Sequence, residues 1–81
     1  MIRIGNKVRS FDFQRHRDCY IEGIVEGFKE VEGCIRYEIR VERKVWAGEE
    51  VAEPLACHVY PPLNGTPRTF GGECNGVELI A

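Results

Sequence analysis

Between Cys34 and Trp46 the chain reads CIRYEIRVERKVW, and no other stretch limits the fold as strongly. Its odd positions hold Ile35, Tyr37, Ile39, Val41 and Val45, with Arg43 the one interruption. Its even positions hold Arg36, Glu38, Arg40, Glu42 and Lys44. Side chains alternate between the faces of a strand, so this period builds one long strand with an apolar inner face and a charged outer one. Wound as a helix, the same apolar residues would scatter around the circumference. The fold has to be organised around a central amphipathic strand.

The flanking segments supply its neighbours. Lys7–Phe11 reads as a first strand anchored by Val8 and Phe11, whose mismatched parity predicts a bend or bulge near Ser10. Residues 12–18, DFQRHRD, form a polar loop without the glycine pattern of a phosphate cradle. A second strand runs from Cys19 or Tyr20 to about Phe28. Gly23 and Gly27 within it weaken an isolated strand but permit a bend or the close approach of another backbone. Residues 30–33 make the hairpin turn, with Gly33 suited to a left-handed conformation. Pairing Glu22 with Arg40 and Glu26 with Arg36 would set opposite charges across the outer face and bring Val25 to Tyr37 and Ile21 to Val41.

Beyond Trp46, residues 47–50 turn the chain, and 51–55 are a weak segment that Pro54 bars from a central strand. Residues 57–60 form a short strand ended by Pro61 and Pro62. Residues 61–76 form an irregular loop anchored by Leu63 and Phe70, and 77–80 a closing strand. An 81-residue chain with these elements is a single domain, 1–81, all-β, and an SH3-like barrel of about five strands fits best. An OB-like barrel is the alternative, although it usually needs more residues and a helix. Such a chain buries only about 60–65% of the surface its unfolded form exposes, so its core is small.

Charge is distributed unevenly. Residues 1–17 carry Arg3, Lys7, Arg9, Arg15 and Arg17 against Asp12 alone, while residues 49–81 carry five Glu against Arg68 alone. A basic beginning and an acidic end suit terminal strands lying side by side. The net charge of −2 argues against a general nucleic-acid binder. Met1 to Gly5 runs straight into charge, so no secretory leader is expected, and no apolar run reaches membrane-spanning length. A cytoplasmic location with reduced cysteines follows as the expectation.

The run HVYPPLNGTPRTFGG, with VRSFDF and CYIEG near the front, resembles a group of small proteins from tailed bacteriophages and marine environmental sequence. These share a VRSFDF-like opening, a hydrophobic meander and a Tyr-Pro-Pro-x-Asn-Gly tail, here Tyr60, Pro61, Pro62, Asn64 and Gly65. The likeness covers most of the chain. It implies a phage protein in the host cytoplasm and brings no catalytic residue with it.

Cys19, Cys34, Cys57 and Cys74 form no C-x-x-C pair, so they read as small buried hydrophobes and neither a metal nor a cofactor is expected. Cys57 and His58 are strand neighbours pointing to opposite faces and cannot form a dyad. His16 lies in a polar loop with no recognisable oxyanion donor, and Ser10 is the only serine. The chain reads as a non-enzyme that works by protein contact, with itself as a homo-oligomer, a dimer favoured, or with another protein.

The candidate contact surface is Trp46 with Tyr60, Pro61, Pro62, Asn64, Gly65, Thr66, Pro67 and Arg68, because rigid loops on barrels commonly carry binding surfaces. The alternative is a nucleic-acid-binding barrel using Arg9, Arg15, Arg17 and Tyr20 with Phe11 and Phe13, since single-strand binders mix cations with aromatics.

Overall fold

Cys34–Trp46 is one thirteen-residue strand, β3, and it pairs antiparallel along its whole length with Tyr20–Val31, β2. The computed structural model describes residues 2–11, 16–51, 57–66 and 76–80. Within them lie four further strands: β1 (Lys7–Phe11), β4 (Glu49–Glu50), β5 (His58–Val59) and β6 (Val77–Leu79). They form one antiparallel sheet in the order β4-β3-β2-β1-β6, with β5 also on β3. Of the weak segment 51–55 only Val51 is described; Pro54, Phe70 and much of the 61–76 loop lie outside the described residues.

Both turns flanking β3 are two residues long. Glu32 and Gly33 have φ of 50° and 79°, and Ala47 and Gly48 have φ of 51° and 80°. Two consecutive left-handed residues make the turn whose twist matches antiparallel strands, and glycine is the natural second residue. Each turn is two residues shorter than the sequence predicts. β2 therefore continues to Val31, and Glu49 and Glu50 join the sheet.

The pairing register corrects the sequence expectation. Glu22 faces Arg43, Ile24 faces Arg40 and Lys29 faces Arg36. Val25 lies opposite Ile39, and Phe28 takes the place beside Tyr37. The shortened turn moves the register, and two irregularities alter it again, one leaving Glu42 of β3 unmatched and the other Glu26 of β2. Each extra residue reverses the faces beyond it. Arg43 therefore lies outside with Glu22, and Val45 does not share the inner face of Ile39.

Of the bend or bulge expected near Ser10, the bulge is absent: β1 pairs with β2 without a register shift. Val8 and Ser10 point inward, while Phe11 lies in register with Tyr20, and Tyr20 with Val45, on the other face. The parity mismatch marks a sheet buried on both sides at this end. Phe11, Val45 and Cys19 are buried there, and the Phe11 and Tyr20 rings meet edge to face with centroids 5.7 Å apart.

The main core lies inside the curl. Val8, Ile21, Val25, Tyr37, Ile39 and Val77 form it, with Ile2, Val41, Val59 and Leu63 packed against them. Val59 and Leu63 come from the segment beside β3 and Val77 from β6 at the opposite end of the sheet, so the sheet curls into a half-barrel. β1 and β6 put the basic start beside the acidic end, with Arg9 paired to Glu78. No helix among the described residues is long and apolar enough to cross a membrane.

Two devices hold the curl. At Gly23 the backbone of β3 comes so close that a Cβ would stand 2.1 Å from the carbonyl oxygen of Arg40. On the open side, the Asn64 amide completes the ring of hydrogen bonds. Its Nδ2 donates to the Val77 carbonyl at 3.0 Å, and the Val77 amide donates to its Oδ1 at 2.6 Å. One side chain thereby does what a paired strand residue would do, linking β6 to the segment that follows β5.

Gly23→Ala should cost at least about 2 kcal/mol in denaturant unfolding, the scale of an overpacked core. Gly27→Ala, where nothing stands within 4 Å of the new atom, should remain close to wild type. Equal effects at the two glycines would remove the close approach as the cause. Asn64→Leu should lose about 1–3 kcal/mol by leaving both Val77 backbone groups without their partner. Unchanged stability would show that the closure contributes nothing.

Candidate functional site

The predicted contact loop is largely occupied in closing the barrel. Pro61 has no N–H to offer, but its carbonyl accepts the Tyr37 amide at 2.9 Å, and Pro62 bridges to Arg36. The carbonyl of Tyr60 accepts Nη1 of Arg36 at 3.1 Å. The Asn64 side chain is spent on Val77, its backbone N–H donates to the Tyr37 hydroxyl at 3.4 Å, and Gly65 and Thr66 turn the chain, the Thr66 N–H donating to the Leu63 carbonyl. Pro67 and Arg68 lie outside the described residues. A cleft of about 260 Å³ remains on the open side, lined by Tyr60, Pro61 and Pro62 with Ser10, Ile21 and Val59.

Trp46 is not part of this group. Tyr60 lies near Glu38 along β3, and Trp46 ends that strand, about 26 Å further on at the rise of an extended chain. The indole is half exposed beside the Lys44 ammonium, 5.7 Å from its ring centroid.

The cation–aromatic set does assemble, in a form that satisfies itself. The Arg9 guanidinium lies 4.2 Å above the Tyr20 ring, and that of Arg17 lies 4.1 Å above Phe11. Each cation is also paired. Arg9 donates through Nε to Glu22 at 2.8 Å, and Arg17 grips Glu78 with two hydrogen bonds of 2.6 and 3.1 Å. Arg43 reaches the other oxygen of Glu22 at 3.1 Å and continues to Glu50 at 2.7 Å. A band of alternating charge thus runs across five strands, with the aromatic faces beneath it covered by guanidinium groups. Arg15 and Phe13 lie outside the described residues.

Glu22 is the buried member of that band, 5% exposed. Burial alone would raise its pKa, but the hydrogen bonds and charges of Arg9 and Arg43 outweigh it and hold the carboxyl below its ordinary value.

The cysteines divide, which corrects the reading of all as buried. Cys19 is buried, its sulfur accepting the Ala47 amide at 3.4 Å. Cys34, at the hairpin turn, and Cys57 are exposed free thiols, and Cys74 lies outside the described residues. His58 turns away from Cys57 toward Glu26, with its Nε2 2.7 Å from Oε1. Glu38 completes a group of three metal-capable donors within 4.8 Å of one another. His16 is exposed on the segment before β2.

The surface that sequence reasoning missed is the far half of the β2–β3 hairpin. Strand β1 covers β2 only as far as Ile24, and Gly5 and Asn6 bond Val25. Beyond that, the outer edge of residues 27–31 has no strand partner among the described residues. Phe28, Val31 and Ile35 on this arm are 47%, 36% and 53% exposed. The alternation of β3 placed Ile35 in the core because period reports faces and is silent on how far the neighbouring strands reach. No protein-family model, curated protein or solved structure matches the chain.

A carboxyl whose folded pKa is depressed stabilises above its unfolded value, and the gain is lost as pH falls through the folded one. Glu22→Gln should therefore melt below wild type at pH 7, by about 1–2 kcal/mol for lost charged hydrogen bonds. The two proteins should converge as pH falls below about 4. A gap that persists undiminished under acid conditions would mean the carboxylate charge is not what stabilises.

Proposed function

We propose that this chain is a non-enzymatic contact domain that pairs with a second copy of itself through the β2–β3 arm. The observation that carries the reading is the open edge of β2 beyond Val25, flanked by exposed Phe28, Val31 and Ile35. An unpaired edge presents a row of free N–H and C=O groups that another strand can satisfy, and apolar residues beside it add burial. A second copy suits the arm because Lys29 and Arg36 balance Glu30 and Glu32, so two arms can meet without net repulsion. A small domain also gains most from extra apolar burial, and a twofold pair is the simplest closed arrangement.

The Pro-rich segment then acts as the brace that keeps the arm projecting, and the cleft it lines offers a neighbouring surface for the same partner. The pairing of Arg9 and Arg17 with carboxylates favours protein contact over nucleic-acid binding, since cations already neutralised gain little from phosphates. The host-cytoplasm phage setting rests on the sequence resemblance.

Light scattering at tens of micromolar should give the mass of a dimer. A Phe28→Ser/Ile35→Ser double variant, still β-rich by circular dichroism, should give a monomer, while Trp46→Ala should remain dimeric. A monomeric wild type would end self-association. Binding to single-stranded DNA or RNA that falls steeply with salt would move the assignment to the nucleic-acid reading.

A further inference from the structure

The second irregularity of the β2–β3 pairing has a chemical consequence. Glu26 is the extra residue, and the bulge turns its carboxylate out toward β5. His58 of β5 lies there because it pairs with Arg40, and Glu38 lies two residues before Arg40 on β3. Three strands thus deliver one imidazole and two carboxylates to one spot, with their donor atoms within 4.8 Å of one another. Bulges commonly re-aim a side chain in this way next to functional sites.

We propose that Glu26, Glu38 and His58 form a binding site for a divalent transition cation of the zinc class, with its remaining positions taken by water. One nitrogen and two carboxylate oxygens suit zinc and its first-row neighbours. Calcium and magnesium prefer larger all-oxygen shells, and copper(I) prefers sulfur.

Three details fit this use. The two oxygens of Glu26 are divided: Oε1 faces His58 at 2.7 Å and Oε2 accepts Arg40 Nε at 3.1 Å. A cation can take the His58 side while Arg40 keeps its bond and orients the carboxylate from behind. The His58 ring is held by stacking on Tyr60, with centroids 6.5 Å apart and planes 20° from parallel. Opposite Glu38 stands Gly27, where nothing lies within 4 Å of the position a Cβ would occupy, leaving space for a hydrated ion.

This departs from the sequence expectation of no metal, and the donors are two glutamates and a histidine, with no cysteine among them. Cys57 adjoins His58 but is not among the grouped donors, and Cys34 lies at the hairpin turn. Cation binding here is independent of the arm's self-pairing.

Metal-free protein titrated calorimetrically with zinc chloride, under a reductant that does not bind metal, should take up one ion per chain. His58→Ala, Glu26→Gln and Glu38→Gln should each weaken binding at least about tenfold, with metal-free melting curves close to wild type. Cys34→Ser/Cys57→Ser should leave the affinity unchanged. Cobalt(II) should give d–d absorption without a thiolate charge-transfer band. The site is overturned if zinc does not bind, if binding survives in the His58 and glutamate variants that fold, or if cobalt shows the thiolate band.

Discussion

The molecule depends on the way β2 pairs with β3. A thirteen-residue strand matched to a twelve-residue one would twist as a simple ribbon if each residue met one partner. Here Glu42 and Glu26 each interrupt the match, on opposite strands, and each interruption bends the ribbon and exchanges its faces. Between them lies Gly23, where the β3 backbone approaches closer than any side chain would permit. The sheet can curl because this one position has no Cβ. Inward placement of Val25 and Ile39, outward burial of Val45 and the exit of Glu26 toward His58 all follow from that geometry.

Curling creates two problems at the sheet ends, and the chain solves them with different chemistry. Along the open side, Asn64 lends its amide to β6, which joins the Pro61–Pro62 segment to the opposite end of the sheet without another strand. On the outer face, the band from Glu78 through Arg9, Glu22 and Arg43 to Glu50 covers the second apolar cluster. Most of these pairs are exposed and individually worth little. Glu22 differs because it is buried between two guanidinium groups, so its charge is removed from water and depends on both partners for compensation.

Much of this was legible in the chain, and the illegible remainder has a common physical origin. The alternation of Cys34–Trp46 identified β3 to the residue, β1 was equally clear, and the uneven charge anticipated the β1–β6 neighbourhood. Register was not legible, because a two-residue turn at Glu32–Gly33 and a four-residue turn have nearly the same local composition. The parity breaks at Arg43 and at Val8 against Phe11 were visible, yet their causes differ: a bulge in β3 and two-sided burial in β1. A single strand's pattern cannot separate these, since both put an apolar residue out of phase. Glu26 and Glu38 read as two more members of a solvated charge stripe because nothing local marks a bulge.

The contrast between the two halves of the hairpin argues for where contact is made. Near the barrel, β3 meets β2 on one edge and the segments at β4 and β5 on the other, and its inner residues are buried. Past Val25 and Arg36 the same two strands continue with only each other as partners among the described residues, and Phe28 and Ile35 become half exposed. An isolated two-stranded ribbon is only marginally stable in water. An arm of this kind persists because its root is anchored in the core through Val25, Tyr37 and Ile39, while its tip has an edge without a strand partner among the described residues and exposed apolar surface. Pairing with another arm would satisfy both, and because the edge carries Lys29 and Glu30 side by side, only alignments that set opposite charges across from one another would be accepted. Under the proposed self-pairing, selectivity would reside in five residues of one strand, with the barrel holding them out.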